Sequence, residues 1–536
     1  MSGNEAIAWA VKSLGVDLVT GYAGLPCTSV INTLKDITTA AEMDLEWSGN
    51  EKIALETAFG VSISGGRAMT VQKMAGLNVA LDSLMVINLL GSAGGLVLAV
   101  GDVPGSIFSG NEQDSRALGA FAELPMLEPS TPQEGFDFTV QAFQLSEKFG
   151  LPVILRFAKQ FALAKGPVNF GGDLKKETKI ISAIQRSFAP AAKRVAAHKL
   201  LHQKNQEVAA YYAGLSLNQT QGQGDKAIVS CGYTYIKVRE ALEAQAWPQA
   251  CKLIKLGALN PMPRDFLTKE LQGVREILVI EEIEPYLEEK LRNLVGLEGL
   301  PAKVYGKTTG HAQWEGELSA QHIALSLEWF LGRGRGGAVD FGSVPVAAAG
   351  NELPGFCEGC PYDYYFGELK KFLADKRLPR PVFTGEPGCS IYLEAPPYEM
   401  LDVKVSLGSA IAVACGLAKM QKDRTVVAIV GDSSFFHSEV ASLIYAAHGQ
   451  ADIIAMVVYN HTAGVTGRQP NPATGWDLRG EKAEVMEIAR IAQACGAPYV
   501  RTIKGRDQAE LREAFSEVFG RKGTRVLILD DPCTLI

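Results

Sequence analysis

The stretch VVAIVGDSSFFHSEVASLIYAAHGQADIIAMVVYNHTAGVTGRQPNP, residues 426–472, decides the fold. An apolar run over 426–430 stops at Gly431, the pattern of a buried parallel strand. Gly431-Asp432-Ser433 follows, then a helical stretch with apolar residues at Val440, Leu443 and Ile444. A second apolar run, 453–458, ends at Tyr459-Asn460. In a β-α-β unit these strands are parallel, and their carboxyl ends meet where open α/β sheets bind ligands. That edge would carry the Asp432 carboxylate and the Asn460 amide. Two hard oxygen donors beside a small-residue turn suit Mg²⁺ and a diphosphate carried by it.

Around this stretch the chain is ordinary globular material. Its 536 residues exceed one core and predict two to four domains. Hydrophobic residues make up 47% and charged residues 21%, which excludes a disordered chain. A net charge of −7 gives no electrostatic case for nucleic acid or an anionic membrane surface as partner. The start, MSGNEAIAWAVKSLG, has neither the basic head nor the apolar core of a signal peptide. The most apolar window, 86–101, is short of a membrane span and contains Asn88. These features predict a soluble, cytoplasmic protein with no membrane span.

Residues 1–168 alternate strand and helix patterns and predict a first α/β domain. Asn4 is read as the cap of a first helix with an apolar stripe at Ala6, Ile7, Ala10, Val11 and Leu14. Residues 18–22 read as a strand ending in the turn GYAGLPCTS, and further strands are expected at 68–71, 96–100 and 152–156. Glu51, in WSGNEK, opens a helix. It serves either the helix dipole or, if buried, a ligand nitrogen. The loop SGNEQDSR, residues 109–116, reads as a solvated loop that could line a cleft. Residues 169–225 form a charged connector with helical stretches and a polar end, LNQTQGQGD. A second α/β domain spans 226–330, with strands AIVSCGY, KLIKLGAL and EILVIEE. Glu281, Glu282 and Glu284 make either an interdomain or subunit contact or a solvated acidic turn. The spacer GRGRGG leads to a third domain at 340–536.

Nine cysteines, an odd count in a long chain, argue against a disulfide scaffold. Cys357 and Cys360 form a CxxC in the third domain, which also holds Cys389 in GEPGCS and Cys533 in DDPCTLI. A lone CxxC fits a zinc ribbon or a redox dithiol, and the lack of a second CxxC disfavours the ribbon. An unevenly spaced four-cysteine set is also compatible with a [4Fe–4S] cluster.

GDSSFFH, the position of Asn460 and TGRQPNP resemble the thiamine diphosphate module of the 2-oxoacid:ferredoxin oxidoreductases, and among them the large, thiamine-binding subunit of the indolepyruvate type. GNEAIAWA, VTGYAG, WSGNEKIALETAFG, NEQDSR, EPSTPQE, LSEKFGLPV, IEEIEP and CEGCP resemble further family segments in the family's order, over nearly the whole chain. The resemblance implies a three-domain α/β fold with doubly wound parallel sheets: a pyrimidine-binding domain, a transketolase-C-like domain and a diphosphate-binding domain. It implies Mg²⁺ on Asp432, the Asn460 side chain and the Thr462 carbonyl. Gly431, Ser433, Gly408 and Ser409 would lie around the diphosphate, with Tyr22 and Gly24 also lining the cofactor. Glu51 would contact the aminopyrimidine, and this reading of Glu51 then leads. Cys357, Cys360, Cys389 and Cys533 would ligate one [4Fe–4S] cluster, and His437 would move a proton or touch substrate.

The implied reaction is oxidative decarboxylation of a 2-oxo acid, an aryl pyruvate favoured, to acyl-CoA and CO₂. Coenzyme A takes the acyl group and ferredoxin or another electron-transfer subunit takes the electrons. A smaller subunit of the beta or gamma type is expected, in a dimer of heterodimers. The chain has no C-x₂-C-x₂-C-x₃-C-P run, so the onward electron carrier is expected on another protein. In the presumed substrate region Leu25 replaces a family threonine and Cys27 a serine. Lys73-Met74 stands for a Lys-His pair, and FAKQFALA, residues 157–164, replaces a segment rich in Thr and Arg. These changes predict a more apolar acyl pocket, a different substrate or lost activity. Two other readings remain open: a non-oxidative thiamine-dependent decarboxylase, and a non-catalytic scaffold subunit.

Overall fold

The computed structural model describes residues 1–106, 109–171, 174, 191–244, 251–332, 337–342 and 355–536. The chain divides into two compact units, Met1–Ala349 and Gly350–Ile536. Arg333 to Gly336 of the GRGRGG spacer, and parts of the 169–225 connector and of the start of the third predicted domain, lie outside the described residues.

The first unit contains two sheets. The larger has seven strands in the order Ala258–Asn260, Met126–Leu127, Val153–Ala158, Leu96–Asp102, Ala68–Lys73, Leu18–Gly21, Asp44–Trp47. All neighbours are parallel except the edge strand Ala258–Asn260, which runs antiparallel to Met126–Leu127. The central strands are buried along nearly their whole length, as strands covered on both faces are. The second sheet has five strands: Lys303–Tyr305, Glu276–Val279, Lys226–Cys231, Lys252–Leu256 and Gln219–Gln221. Gln219–Gln221, inside the polar segment read as connector, is its antiparallel edge.

The segment KLIKLGAL, expected as one strand, is two. Lys252–Leu256 stays in the five-stranded sheet, and Ala258–Asn260 crosses to the seven-stranded one. Gly257 permits the break: a Cβ there would lie 2.4 Å from the Leu217 carbonyl oxygen and 2.7 Å from the Phe138 ring. One apolar core runs from Leu18, Leu77 and Leu98 through Met126 to Val229, Leu256 and Leu287, continuous beneath both sheets.

The first helix, Gly3–Leu14, buries the expected apolar stripe, but its cap is Ser2, not Asn4. Ser2 and Glu5 form a reciprocal capping box. Asn4 is buried inside the helix and donates to the Pro26 carbonyl (2.7 Å) and Ser29 Oγ (2.6 Å), tying the helix to the GYAGLPCTS turn.

The loop expected to be solvated is anchored by a buried arginine. Arg116 Nη2 lies 2.6 Å from Asp114 Oδ2, and its Nη1 lies 2.8 Å from Glu281 Oε2. It also donates to the Glu282 carbonyl (2.7 Å). Glu281 accepts the backbone N–H groups of Leu287 and Glu288, both at 2.9 Å. NEQDSR and IEEIEP are therefore the two halves of one interlock, and Glu281 and Glu282 are buried rather than solvated. Arg156 adds a second buried cluster, with Asp102 at 2.9 Å and with Glu128.

The second unit is built on a six-stranded, all-parallel sheet ordered Val403–Lys404, Val382–Gly385, Val426–Gly431, Ile453–Tyr459, Thr524–Asp530, Tyr499–Lys504. Apolar cores lie on both faces. Helices and parallel strands alternate, as a doubly wound α/β fold requires.

Candidate functional site

In the second unit, three adjacent strands each end in a polar residue. Glu386 follows Val382–Gly385, Asp432 follows Val426–Gly431, and Asn460 follows Ile453–Tyr459. All three are buried. One terminal atom of the Asn460 amide lies 3.3 Å from Asp432 Oδ1 and 3.1 Å from the Thr462 carbonyl oxygen. With nitrogen there, the amide donates to both. With oxygen there, the three residues offer a face of three converging oxygens. Octahedral Mg²⁺ with bonds of about 2.1 Å spaces neighbouring ligands by about 3.0 Å. The spacing therefore fits such an ion with little movement. His461 supports the turn by adopting φ 61°, and its Nε2 lies 2.7 Å from Asp530 Oδ1.

Asp432 accepts the backbone N–H groups of Ser433 (2.6 Å) and Thr462 (3.1 Å). Burial pushes its carboxyl up to about 7, against these bonds and against the Asn471 side chain beside it. Asn471 is held by the Ala473 N–H, which donates to its Oδ1 (3.0 Å), leaving its amide nitrogen for the Asp432 side. A buried carboxyl raised by desolvation with neutral donors around it is a group suited to a cation.

The GDSSFFH segment leaves the strand as one helical turn, Asp432–Ser434, passes through a π-helical turn, Phe435–Glu439, and becomes the helix Val440–His448. Such turns recur at functional sites because the extra residue re-aims side chains. His437 lies in this turn, buried, with Nδ1 2.7 Å from Ser438 Oγ. Gly408, at φ 72°, faces the same turn: a Cβ there would lie 2.7 Å from the Ser438 Cβ. Ser409 bonds the Ser406 carbonyl (2.7 Å) and precedes the helix Ala410–Met420.

Glu386 and Glu439 have no counterpart in the sequence reading. Glu386 accepts the N–H groups of Gly408 (2.6 Å) and Gly431 (3.1 Å), tying the 408 loop to the strand end. Glu439 accepts the Ile411 N–H (3.1 Å) at the start of the helix Ala410–Met420. Burial, then the neighbouring Glu439, pushes Glu386 up to about 8. The N–H groups of Gly408 and Gly431 are thus committed to Glu386, and Gly408 also permits the close approach of Ser438. The signal was available: Glu386 stands at a strand end just as Asp432 does.

The four cysteines gather beside this edge. The carboxyl-terminal segment crosses back so that the Cys533 N–H donates to the Asn460 carbonyl (3.0 Å). Cys389 Sγ and Asn460 Nδ2 flank Gly464, 3.3 and 3.6 Å from where its Cβ would stand. Burial, followed by Cys360, Cys533 and Cys357 close by, pushes the Cys389 thiol up to about 12. No three of the four sulfurs lie within 4.8 Å of one another. A single tetrahedral zinc with bonds near 2.3 Å would draw them to about 3.8 Å.

In the first unit, the residues assigned to the aminopyrimidine side gather at one end of the seven-stranded sheet. Glu51, buried, opens the helix Glu51–Ile63 after the Asn50 cap. Its carboxyl packs on Gly76, where a Cβ would lie 2.5 Å from Glu51 Oε1. Gly24 packs against Lys73, with 3.3 Å between the position of its Cβ and the Lys73 Cβ. Tyr22 is half-buried in the same turn. Burial pushes Lys73 down to about 8.

The departures sort by position. Leu25 is 38% exposed at the turn, whereas Cys27 and Met74 are fully buried. Cys27 Sγ donates to the Gln72 carbonyl (3.2 Å), and burial pushes its thiol up to about 12. Phe157 and Phe161 are core residues, with ring centroids 5.7 Å apart, and Phe161 fills the space beside Gly3. That departure changes packing.

Comparisons with known proteins identify the family. Residues 9–222 match the family model described as pyruvate flavodoxin/ferredoxin oxidoreductase, thiamine diphosphate-binding. Residues 389–529 match that of the thiamine pyrophosphate enzyme, C-terminal TPP binding domain. Indolepyruvate oxidoreductase subunit IorA of Archaeoglobus fulgidus is 32% identical over 100% of this chain and 86% of that protein. The subunit of the same name from Pyrococcus abyssi is 31% identical over 99% and 85%. Among solved structures, a 2-oxoglutarate:ferredoxin oxidoreductase from Magnetococcus marinus covers 62% of this chain and 65% of its own at 16% identity, with a TM-score of 0.49. The chain belongs to the indolepyruvate oxidoreductase subunit IorA family, within the thiamine diphosphate-dependent 2-oxoacid oxidoreductases.

Proposed function

We propose that this chain is the catalytic subunit of an enzyme that oxidatively decarboxylates a 2-oxo acid, an aryl pyruvate such as indolepyruvate favoured, to acyl-CoA and CO₂. The observation that carries the reading is the shared space at Gly464. There the oxygen face of Asp432, Asn460 and Thr462 adjoins Cys389 of the four-cysteine set.

Asp432, Asn460 and Thr462 would hold Mg²⁺, and the turn from Gly431 to Ser433 with Gly408 and Ser409 would border the diphosphate. Tyr22 and Gly24 would line the cofactor. Thiamine diphosphate supplies the electron sink for loss of CO₂ when bound, and a [4Fe–4S] cluster on Cys357, Cys360, Cys389 and Cys533 would take the electrons. Glu51 would hold a proton against the aminopyrimidine ring, where its burial strengthens the bond. His437 would pass a proton or touch substrate from the π-helical turn. The exposed Leu25, in place of a hydroxyl, makes the acyl side more apolar and suits an aryl group. The partners would be a smaller beta- or gamma-type subunit in a dimer of heterodimers, ferredoxin or another electron-transfer subunit, and coenzyme A, in the cytoplasm. Among the described residues no helix is long and apolar enough to cross a membrane.

The test is an anaerobic, CoA-dependent screen of aryl and alkyl 2-oxo acids with the co-expressed smaller subunit, a dye acceptor and an iron assay. Aryl substrates should turn over fastest, and Glu51→Gln should lower turnover about 10²- to 10⁴-fold. Bound thiamine diphosphate without iron would favour a non-oxidative decarboxylase. Unchanged turnover in Glu51→Gln would make the chain a scaffold subunit.

A further inference from the structure

We propose that Glu123, His198 and His202 form a site for one divalent transition-metal ion of the zinc class, which clamps the helix Ala191–Tyr212 to the turn after the helix Ser115–Phe121. His198 and His202 are four residues apart and share one helix face. His198 Nε2 lies 2.6 Å from Glu123 Oε1, and His202 Nε2 lies 2.8 Å from Glu123 Oε2. One ligand atom from each residue falls within a 4.8 Å set, and among the described residues this is the one group of three such side chains that does so.

The next position on the same stripe, Asn205, donates to the Glu123 carbonyl (2.8 Å). Three turns of one helix thus address a single residue, through both its side chain and its backbone. Glu123 itself sits at φ 56°, a left-handed conformation that a residue with a side chain seldom adopts. The turn presents its carboxylate between the two rings.

The helix needs such a hold. Its 22 residues bury only Leu201, Val208 and Tyr212, and none before position 201. An amphipathic face normally supplies a helix with its docking force, and here the first ten residues bury no side chain. Two imidazoles and one carboxylate are a standard three-ligand set for zinc, with water in the fourth position. Imidazole donors select zinc-like ions over Mg²⁺ or Ca²⁺. Tetrahedral bonds of about 2.0 Å separate ligands by about 3.3 Å, so the donors would open by roughly half an ångström. The side chains are 49%, 56% and 30% exposed and can make that movement. The site does not depend on the proposed reaction and uses none of its residues.

The test is equilibrium dialysis of the full chain against Zn²⁺, comparing the wild type with His198→Ala/His202→Ala and with Glu123→Gln. The cysteines are common to all three proteins and cancel in the difference. The wild type should bind one more Zn²⁺ than the double variant, and Glu123→Gln should bind that ion at least tenfold more weakly. Zn²⁺ should raise the thermal midpoint of the wild type more than that of the double variant, whose circular dichroism without metal should match the wild type. Equal Zn²⁺ stoichiometry and affinity in the wild type and the double variant would overturn the proposal and leave a hydrogen-bonded surface cluster.

Discussion

Two buried aspartates, one in each unit, meet burial with different partners. Asp114 is enclosed with Arg116, and although burial works to raise its carboxyl, the guanidinium holds it below the usual range. Asp432 is as deeply enclosed, but N–H groups, an amide and the His461 ring stand near it in place of a guanidinium, and burial raises its carboxyl to about 7. The same contrast extends to their surroundings. In the first unit Arg116 pairs with Asp114 and Glu281, and Arg156 with Asp102 and Glu128, two cations shared among four buried carboxyl groups. In the second, Glu386, Glu439 and Asp432 have backbone donors and no described ion pair. A buried carboxyl paired with a guanidinium is costly to unpair, whereas a buried carboxyl met by neutral donors alone is raised by desolvation and is a candidate for binding a cation.

The contrast can be broken at its strongest point first. Arg116→Ala should destabilise the first unit by about 3–5 kcal/mol, because it leaves Asp114 and Glu281 buried without their cation. Chemical denaturation measures this, and a loss under about 1 kcal/mol would remove the structural half of the comparison. Asp432→Asn should behave in the opposite way. Without ligands it should be as stable as the wild type or more so. The stabilisation of about 3 kcal/mol expected from saturating Mg²⁺ and thiamine diphosphate should vanish. Equal thermal shifts in the two proteins would count against Asp432 as a ligand.

Glu386 gives a pH-dependent effect, smaller than these per pH unit. Its folded value lies near 8, above the ordinary 4.5. The folded state therefore holds an extra proton across that window, and stability should fall as pH rises from about 4.5 to 8. One such group gives a slope of up to about 1.4 kcal/mol per pH unit. Glu386→Gln should flatten the slope in denaturation curves taken across that range, and an unchanged slope would assign it to other groups. The smallest effect belongs to the surface. Lys52 pairs with Asp82 at 3.2 Å, but Asp82 is 91% exposed, so Lys52→Ala should cost no more than about 0.5 kcal/mol.

Much of the second unit was legible because strand ends there carry their own punctuation. Val426–Gly431 and Ile453–Tyr459 fall within one residue of the apolar runs that predict them. Asp432 and Asn460 meet as the β-α-β argument requires, and Thr462, named only through the family resemblance, lies with them. The first unit was less legible. A polar loop reads as solvated, and nothing local to NEQDSR shows that Arg116 will meet Glu281 across 165 positions. Glu439 was hidden for the same reason, since its partner Ile411 is remote in sequence. Gly257 concealed a strand break because only the approach of Leu217 and Phe138 makes a glycine necessary there.

The crossing strand Ala258–Asn260 has a consequence for how the chain is made. It covers the Met126–Leu127 edge of a sheet whose other strands are complete by Ala158. During synthesis that edge stays open while another hundred or so residues emerge, a long-range pairing that slows folding and invites edge-to-edge association. A gene fragment cut after position 168 would leave it open permanently. Residues 1–168 are therefore expected to be poorly soluble when expressed alone, and a fragment that folds cleanly from the amino terminus is expected to need the second sheet as well, through the strand Lys303–Tyr305.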